Sequence, residues 1–445
     1  MNIRIILLAL GFSVHSAFPV TAQNNDHPKK PNIIFVLADD LGIGDVGCYG
    51  QTKIKTPVLD TLAREGVRFT QGYSGATVCA PSRSTLMTGL DTGHCPIRAN
   101  RFLKPEGQKP LPADTYTVAK LLKANGYATM CAGKWGMGMF DTSGSPLKMG
   151  FDNFYGFNCQ KHAHSYFPEY LYENAKRLEL NGKVYAPDFA IQHTLNWIRE
   201  HKDIPFFVFY AATLPHGLYE IDDLGLYKNE DWTEEQKIYA AMCTRLDTQV
   251  GMLLKLLKEL NLDKDTIIFF AGDNGSAFQP DSAIAQFFNS NAGLRGFKRT
   301  HYEGGMRQAF LARWTKHIKP HTVCDTPIGF WDFLPTCADL IGSELPVGVQ
   351  TNGVSLLPLL LEGVKPQRDT FYWELHEGRV SCQAARWKDW KFIKNGPNKP
   401  IELYDLKVDP GETTDLAPKN PDIVKRGEEL LETSRVDHPD WQLVH

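Results

Sequence analysis

Four continuous apolar runs, each breaking off abruptly into polar residues, constrain this chain more than any other feature. They cover residues 32–38, 128–132, 206–210 and 266–270. A strand with one face in water alternates apolar and polar residues, so a run without polar breaks reads as a strand buried on both faces. Helical patterns lie between the runs: a short one at 59–65, a clearer one at 115–125 with Gly126 placed as its C-cap, and the longest at 234–260. In the last, Tyr239, Met242, Leu246, Val250, Leu253, Leu257 and Leu260 recur three or four apart, so one stripe faces a core. Strands alternating with helices predict an α/β fold built on a large, mainly parallel sheet sandwiched by helices. After Leu360 the segments become short and aromatic-rich, at 371–374, 390–393 and 402–406, with a turn at 395–398 and a helical pattern at 422–433. These predict a smaller C-terminal subdomain of antiparallel sheet plus helix. The expected division is 23–355 for the N-terminal domain and 356–445 for the subdomain.

Residues 1–22 read as a secretory signal peptide. Arg4 precedes an apolar run at 5–12 that is too short to span a bilayer, and Val20-Thr21-Ala22 offers small residues for cleavage. No other segment is apolar enough to cross a membrane. An exported protein, periplasmic or secreted, is the expectation. A net charge of −3 gives no basic field for nucleic acid. Nine cysteines leave an odd one in an exported chain, and setting Cys79 aside leaves an even number.

Ligands bind beyond the carboxyl ends of the strands in such sheets. Polar clusters that follow the four runs are therefore the place to look. They are Asp39-Asp40, Gly133-Lys134-Trp135-Gly136, Leu214-Pro215-His216 and Gly272-Asp273-Asn274-Gly275. The all-oxygen set Asp39, Asp40, Asp273 and Asn274 suits a hard divalent cation, Ca²⁺ or Mg²⁺, whereas zinc would draw more His or Cys. Taken alone, Asp39-Asp40 is a helix cap or turn, and Asp273-Asn274-Gly275 is a turn. Both pairs standing at apolar strand ends favours the metal.

The stretch Cys79-Ala80-Pro81-Ser82-Arg83, running on to Thr88-Gly89, resembles the signature of the formylglycine-dependent (type I) sulfatases of the alkaline phosphatase superfamily. Asp39-Asp40, Gly133-Lys134-Trp135, Pro215-His216, Asp273-Asn274-Gly275, Lys298 with Glu303-Gly304-Gly305-Met306-Arg307, and a late motif at 403–412 occur in that family's order. The resemblance implies that a maturation enzyme oxidises Cys79 to formylglycine (3-oxoalanine), whose hydrate attacks the sulfur of a sulfate ester. It implies one Ca²⁺ held by Asp39, Asp40, Asp273 and Asn274, completed by the matured Cys79. It further implies that Arg83 holds the hydrate, Lys134 and Lys298 clamp the sulfate oxygens, and His216 protonates the departing alcohol. Sulfate transfer builds negative charge on oxygen, so cations and a proton donor lower its barrier.

One position departs from the family, which commonly has His after Gly-Lys-Trp where this chain has Gly136. His162 and His164 lie downstream, and on a strand that spacing would put both on one face. One of them is expected near Cys79, on the side away from His216; the alternatives are substrate binding, the role also given to Arg307, or a surface loop. A sulfated carbohydrate is the expected substrate, since export suits polymer breakdown and aromatic loops suit sugar faces. A phosphoester or phosphonate hydrolase, and a glycan-binding protein that has lost catalysis, remain the competing readings.

Overall fold

A computed structural model describes residues 30–444 except Pro105 and Arg379. The expected signal peptide lies outside the described residues. The four apolar runs are strands and they are neighbours. Thr266–Gly272, Asn32–Ala38, Phe206–Ala211 and Ala128–Lys134 lie side by side in that order, all parallel. Asn153–Phe157 continues the parallel set. The rims turn antiparallel, through Arg307–Trp314 and Val67–Tyr73 on one side and Tyr170–Glu173 and Lys176–Glu179 on the other. Two short strands, Thr322–Cys324 and Ile328–Gly329, add to Val67–Tyr73 and complete an eleven-stranded sheet among the described residues.

Burial on both faces explains the apolar runs. Along the central strand, Ile34, Val36 and Ala38 enter one core, while Ile33, Phe35 and Leu37 enter the other. Phe35 anchors an aromatic cluster, its ring centroid 4.8 Å from that of Phe333 and 6.0 Å from that of Phe269. The long helix, Glu234–Glu259, covers the first core with the stripe read from its spacing, Tyr239 through Leu257. A reciprocal cap between Thr233 and Gln236 starts it. The helix expected at 115–125 is shorter, Val118–Ala124, because Thr117 is its N-cap and accepts from the Lys120 amide.

The small sheet runs in the order Thr370–Leu375, Cys382–Trp387, Trp390–Lys394, Glu402–Asp405, all antiparallel. Leu430 and Leu431 of the helix Pro421–Thr433 pack on it. The helix Leu357–Glu362 instead sends Leu359 and Leu360 into the second core of the large sheet. All nine cysteines are unpaired. No described helix is long and apolar enough to cross a membrane.

Glu374 ties the small sheet to the rest. Its carboxylate accepts from Arg98 at 2.7 Å, His376 at 2.8 Å, Tyr372 at 2.7 Å and Arg435 at 2.8 Å. Burial pushes its pKa up, but the His376 hydrogen bond and the Arg98 charge outweigh burial and bring it from 4.5 down to about 2. A carboxyl depressed in the fold stabilises it above the unfolded value and loses that contribution as pH falls toward the folded value. Glu374→Gln should therefore cost about 3–5 kcal/mol at neutral pH, the scale of a broken buried pair. The deficit should narrow below the unfolded value of 4.5. Urea midpoints of both proteins at neutral and acid pH check this; an equal gap at both would show that the carboxylate charge is not what holds the sheet.

Candidate active site

Parallel strands lying side by side bring their carboxyl ends to one edge. Asp39 and Asp40 follow Asn32–Ala38, Lys134 ends Ala128–Lys134, and Asp273 and Asn274 follow Thr266–Gly272. Asp40 turns into the left-handed region at φ 63°. Such a conformation is costly for most residues, is tolerated by Asp, and clusters at functional sites. The Asp40 amide donates to Asp273 Oδ1 at 3.2 Å, which holds the turn. Cys79 opens the helix Cys79–Thr88, all ten residues of which are buried. Arg83 lies one turn further in and points back to the same edge.

The six charges interlock. Arg83 donates to Asp273 Oδ2 at 2.8 Å and to the Lys134 carbonyl, and lies 3.5 Å from Asp39. Lys134 Nζ is 2.6 Å from Asp39 Oδ2 and 3.4 Å from Cys79 Sγ. Lys298 Nζ is 2.6 Å from Asp40 Oδ1, 3.6 Å from Cys79 Sγ and 3.4 Å from His216 Nε2. His216 Nδ1 faces the Gly217 carbonyl, which can only accept, so Nδ1 carries the hydrogen and Nε2 faces the cluster.

Burial opposes the charged form of every one of these groups, and their neighbours decide the outcome. Asp39 stays ionised well below the usual carboxylate range because Lys134, His216 and Arg83 overcome its desolvation. Asp40 is lowered against its burial by Lys298 and His216. Asp273 is pushed up to about 6 by burial and by the charge of Asp39. Burial lifts the Cys79 thiol to about 12 despite Lys134 and Lys298, so as cysteine it is protonated and a poor nucleophile. His216 is lowered, chiefly by burial.

Donor atoms of Asp39, Asp40, Cys79 and His216 lie within 4.8 Å of one another, a buried cluster compatible with a metal ion. Asn274 donates its amide nitrogen to Asp40 Oδ1 at 2.7 Å, while its Oδ1 is buried without a partner. An orphaned carbonyl oxygen beside three carboxylates fits a hard cation.

A cavity of about 420 Å³ opens on this cluster, lined by Asp40, Cys79, Lys134, His216 and Lys298. His164 lines it too, but its ring stacks on that of His216 at 4.5 Å. That is the side of His216, not the opposite side expected from the sequence. The pair lies in a short 3₁₀ turn, His162–His164, not on a strand, so the two rings diverge. His162 packs on Phe157 and Tyr170 and faces Glu106 at 3.4 Å. Arg307 is not among the cavity residues either; its guanidinium is bound to Glu303 at 2.6 Å. The space beside Gly136 is filled by Gln160, whose carboxamide nitrogen would collide with any Cβ at that position, where φ is +75°. Gln160 and Gln108 both line the cavity, and neither stands out in the sequence, because an isolated neutral amide carries no pattern whether in a loop or on a two-residue strand.

The sulfatase family model matches residues 31–343, and a model of the N-sulphoglucosamine sulphohydrolase C-terminal region matches 295–436. The chain belongs to the sulfatase family. Arylsulfatase A of Homo sapiens is 31% identical over 441 residues, covering 87% of this chain and 83% of its own. N-acetylgalactosamine-6-sulfatase of Sus scrofa is 30% identical over 396 residues, covering 84% of this chain and 72% of its own. The crystal structure of Ps i-CgsB in complex with k-i-k-neocarrahexaose superposes with a TM-score of 0.81 at 29% identity, covering 91% of this chain and 93% of that one. This sulfatase is accordingly a sulfuric ester hydrolase, with the mixed, mainly parallel sheet and separate small antiparallel sheet described above.

Gly136 and Gln160 should be coupled. Gly136→His has to place a side chain at positive φ, about 1–2 kcal/mol, and to displace Gln160. The same substitution should cost less in a Gln160→Ala background, with a coupling of about 0.5–3 kcal/mol in a double-mutant cycle. Strictly additive denaturation midpoints would mean that Gln160 does not contest that space.

Proposed function

We propose that this sulfatase hydrolyses sulfate esters on a carbohydrate, using Cys79 matured to formylglycine and one Ca²⁺ held by Asp39, Asp40, Asp273 and Asn274. The observation that carries the reading is the convergence of Arg83, Lys134 and Lys298, all buried, around the first residue of a buried helix. Lys134 and Lys298 stand 3.4 and 3.6 Å from Cys79 Sγ, and two ammonium groups beside one atom suit an anionic ester. The protonated thiol at residue 79 is a poor nucleophile as it stands, which suits a residue that acts only after conversion. Formylglycine supplies a hydrated aldehyde as oxygen nucleophile, and the cation supplies Lewis acidity toward sulfate oxygens. Lys134 and Lys298 hold those oxygens, Arg83 orients residue 79 and Asp273, and His216 Nε2 gives a proton to the departing alcohol oxygen. Burial lowers the His216 pKa, and an anionic ester in the cavity opposes that lowering.

Relatives that are N-acetylgalactosamine-6-sulfatases, and a structural neighbour holding a neocarrahexaose, support a sulfated carbohydrate as substrate. All the proposed catalytic and metal residues fall within 23–355, which we take as the catalytic domain, with 356–445 as the subdomain. Export to the periplasm or medium, and a maturation enzyme as partner, belong to the same reading.

Matured enzyme should show the formylglycine mass across Cys79, calcium by elemental analysis, and sulfate release from sulfated oligosaccharides. Cys79→Ala should keep the cation and release no sulfate. Turnover by that variant would remove the nucleophile assignment, and stoichiometric zinc without calcium would overturn the choice of ion. His216→Ala should lose roughly 10²–10⁴-fold on a sugar sulfate, the span of general acid catalysis. It should lose much less on nitrophenyl sulfate, whose leaving group needs little protonation. Equal losses on the two substrates would make His216 a binding residue.

A further inference from the structure

We infer that Gln108 and Gln160 form a neutral recognition element that reads free hydroxyl groups of the sugar carrying the sulfate. The inference rests on the carbohydrate reading above and deepens it. Both side chains line the cavity that contains Cys79, at 1% and 8% exposure. All four of their amide atoms are buried and have no hydrogen-bond partner within the protein. Buried polar groups in folded proteins are nearly always partnered, and leaving one unmade is costly. Two whole carboxamides left open in the lining of one reactive cavity point to a group that enters from solvent.

The chemistry of the amide selects that group. A carboxamide offers an acceptor oxygen and two donor hydrogens. A sulfate or carboxylate only accepts, so it would leave each Oε1 facing another oxygen. A hydroxyl both donates and accepts, and two adjacent hydroxyls match the two ends of one carboxamide. The element adds no charge to a cavity already rich in cations, so it orients the ring without adding affinity for anions in general. The two glutamines arrive from separate segments. Gln108 stands on the second strand of the hairpin formed by Phe102–Leu103 and Gly107–Gln108. Gln160 occupies space that only a glycine at 136 leaves open. Asn158 is likewise unpartnered, but it does not line the cavity and has no part in this assignment.

The test compares wild type, Gln160→Leu and Gln108→Leu, all carrying formylglycine at residue 79 by mass. The substrates are a sulfated monosaccharide with free hydroxyls flanking the ester, its deoxy analogue, and nitrophenyl sulfate. Wild type should prefer the hydroxylated sugar by roughly tenfold or more in kcat/KM, because the analogue leaves buried amides unpaired. Each leucine variant should shrink that preference toward unity, and its loss on nitrophenyl sulfate should stay within a few-fold. The variants should also melt at or above the wild-type temperature, since they remove polar atoms that nothing in the free enzyme satisfies. A preference unchanged in both variants, a wild type without preference, equal losses on all three substrates, or a clearly lowered melting temperature would each overturn the assignment while leaving the sulfatase reading intact. Release of sulfate from nitrophenyl sulfate but from neither sugar would overturn the carbohydrate reading, and this inference with it.

Discussion

Six full charges are buried together at the carboxyl edge of the sheet, and the rest of the molecule is arranged to keep them there. Asp39, Asp40 and Asp273 face Arg83, Lys134 and Lys298, none more than 5% exposed. Taking ions out of water is expensive, and only close pairing on every side offsets it. Each ion therefore sits on something rigid: the end of a central strand, a wholly buried helix, or a loop pinned back onto the sheet. Lys298 is pinned by its own amide, which donates to Ser276 O at 2.9 Å. The three charges of each sign balance, so the site is neutral as a set although each member is strongly charged. Removing one partner would leave its neighbour buried and unpaired, which is why such a network defines one geometry and resists drift.

The sequence made this edge legible because its strands are buried on both faces. Continuous apolar runs announce themselves, and the polar residues that end them stand out by contrast. Asp39, Lys134, His216 and Asp273 stand out in that way. Strands of mixed pattern do not stand out in this way. Val67–Tyr73 carries Arg68, Thr70 and Gln71 among its apolar residues, and Cys382–Trp387 carries Gln383 and Arg386, so neither reads as a buried run. Arg386 reaches back to donate to Gln71 and to the Tyr73 hydroxyl, both at 2.7 Å. Each mixed pattern is half of a contact whose other half lies more than three hundred residues away, and no local period encodes that.

The same contact explains Arg307. Its place in a Glu-Gly-Gly-Met-Arg motif beside Lys298 made a substrate role plausible. In the fold its partner Glu303 also takes Lys391 at 2.7 Å and the Tyr73 hydroxyl at 2.8 Å, and Lys391 in turn meets Glu412 at 3.0 Å. This second buried network joins the small sheet to the loop that carries Lys298. The motif is thus split between two tasks: Lys298 faces the cavity, and five residues beyond it Glu303 anchors the neighbouring sheet. A mis-seated small sheet would shift Lys298, and with it one wall of the cavity, although no residue of that sheet lines the cavity.

Gly136 shows how one backbone position can change what a site asks of its substrate. The sequence treated it as a missing imidazole and looked for another to replace it. His164, which lines the same cavity, instead lies against His216, and burial together with the His216 charge lowers its pKa to about 4. An imidazole held neutral over so wide a pH range adds shape and polarity to the cavity but no positive charge. Gln160 fills the opened space with a group that neither titrates nor carries charge. Beside Gly136 the cavity therefore holds a neutral carboxamide and not an imidazole. In the reaction proposed above, a proton leaving residue 79 has to pass to the groups within reach of it. In this chain those are Asp39, 3.5 Å from Cys79 Sγ, and His216, a ring nitrogen of which lies within 4.8 Å of it; the two lysines beside them are held as ammonium groups and take up no proton.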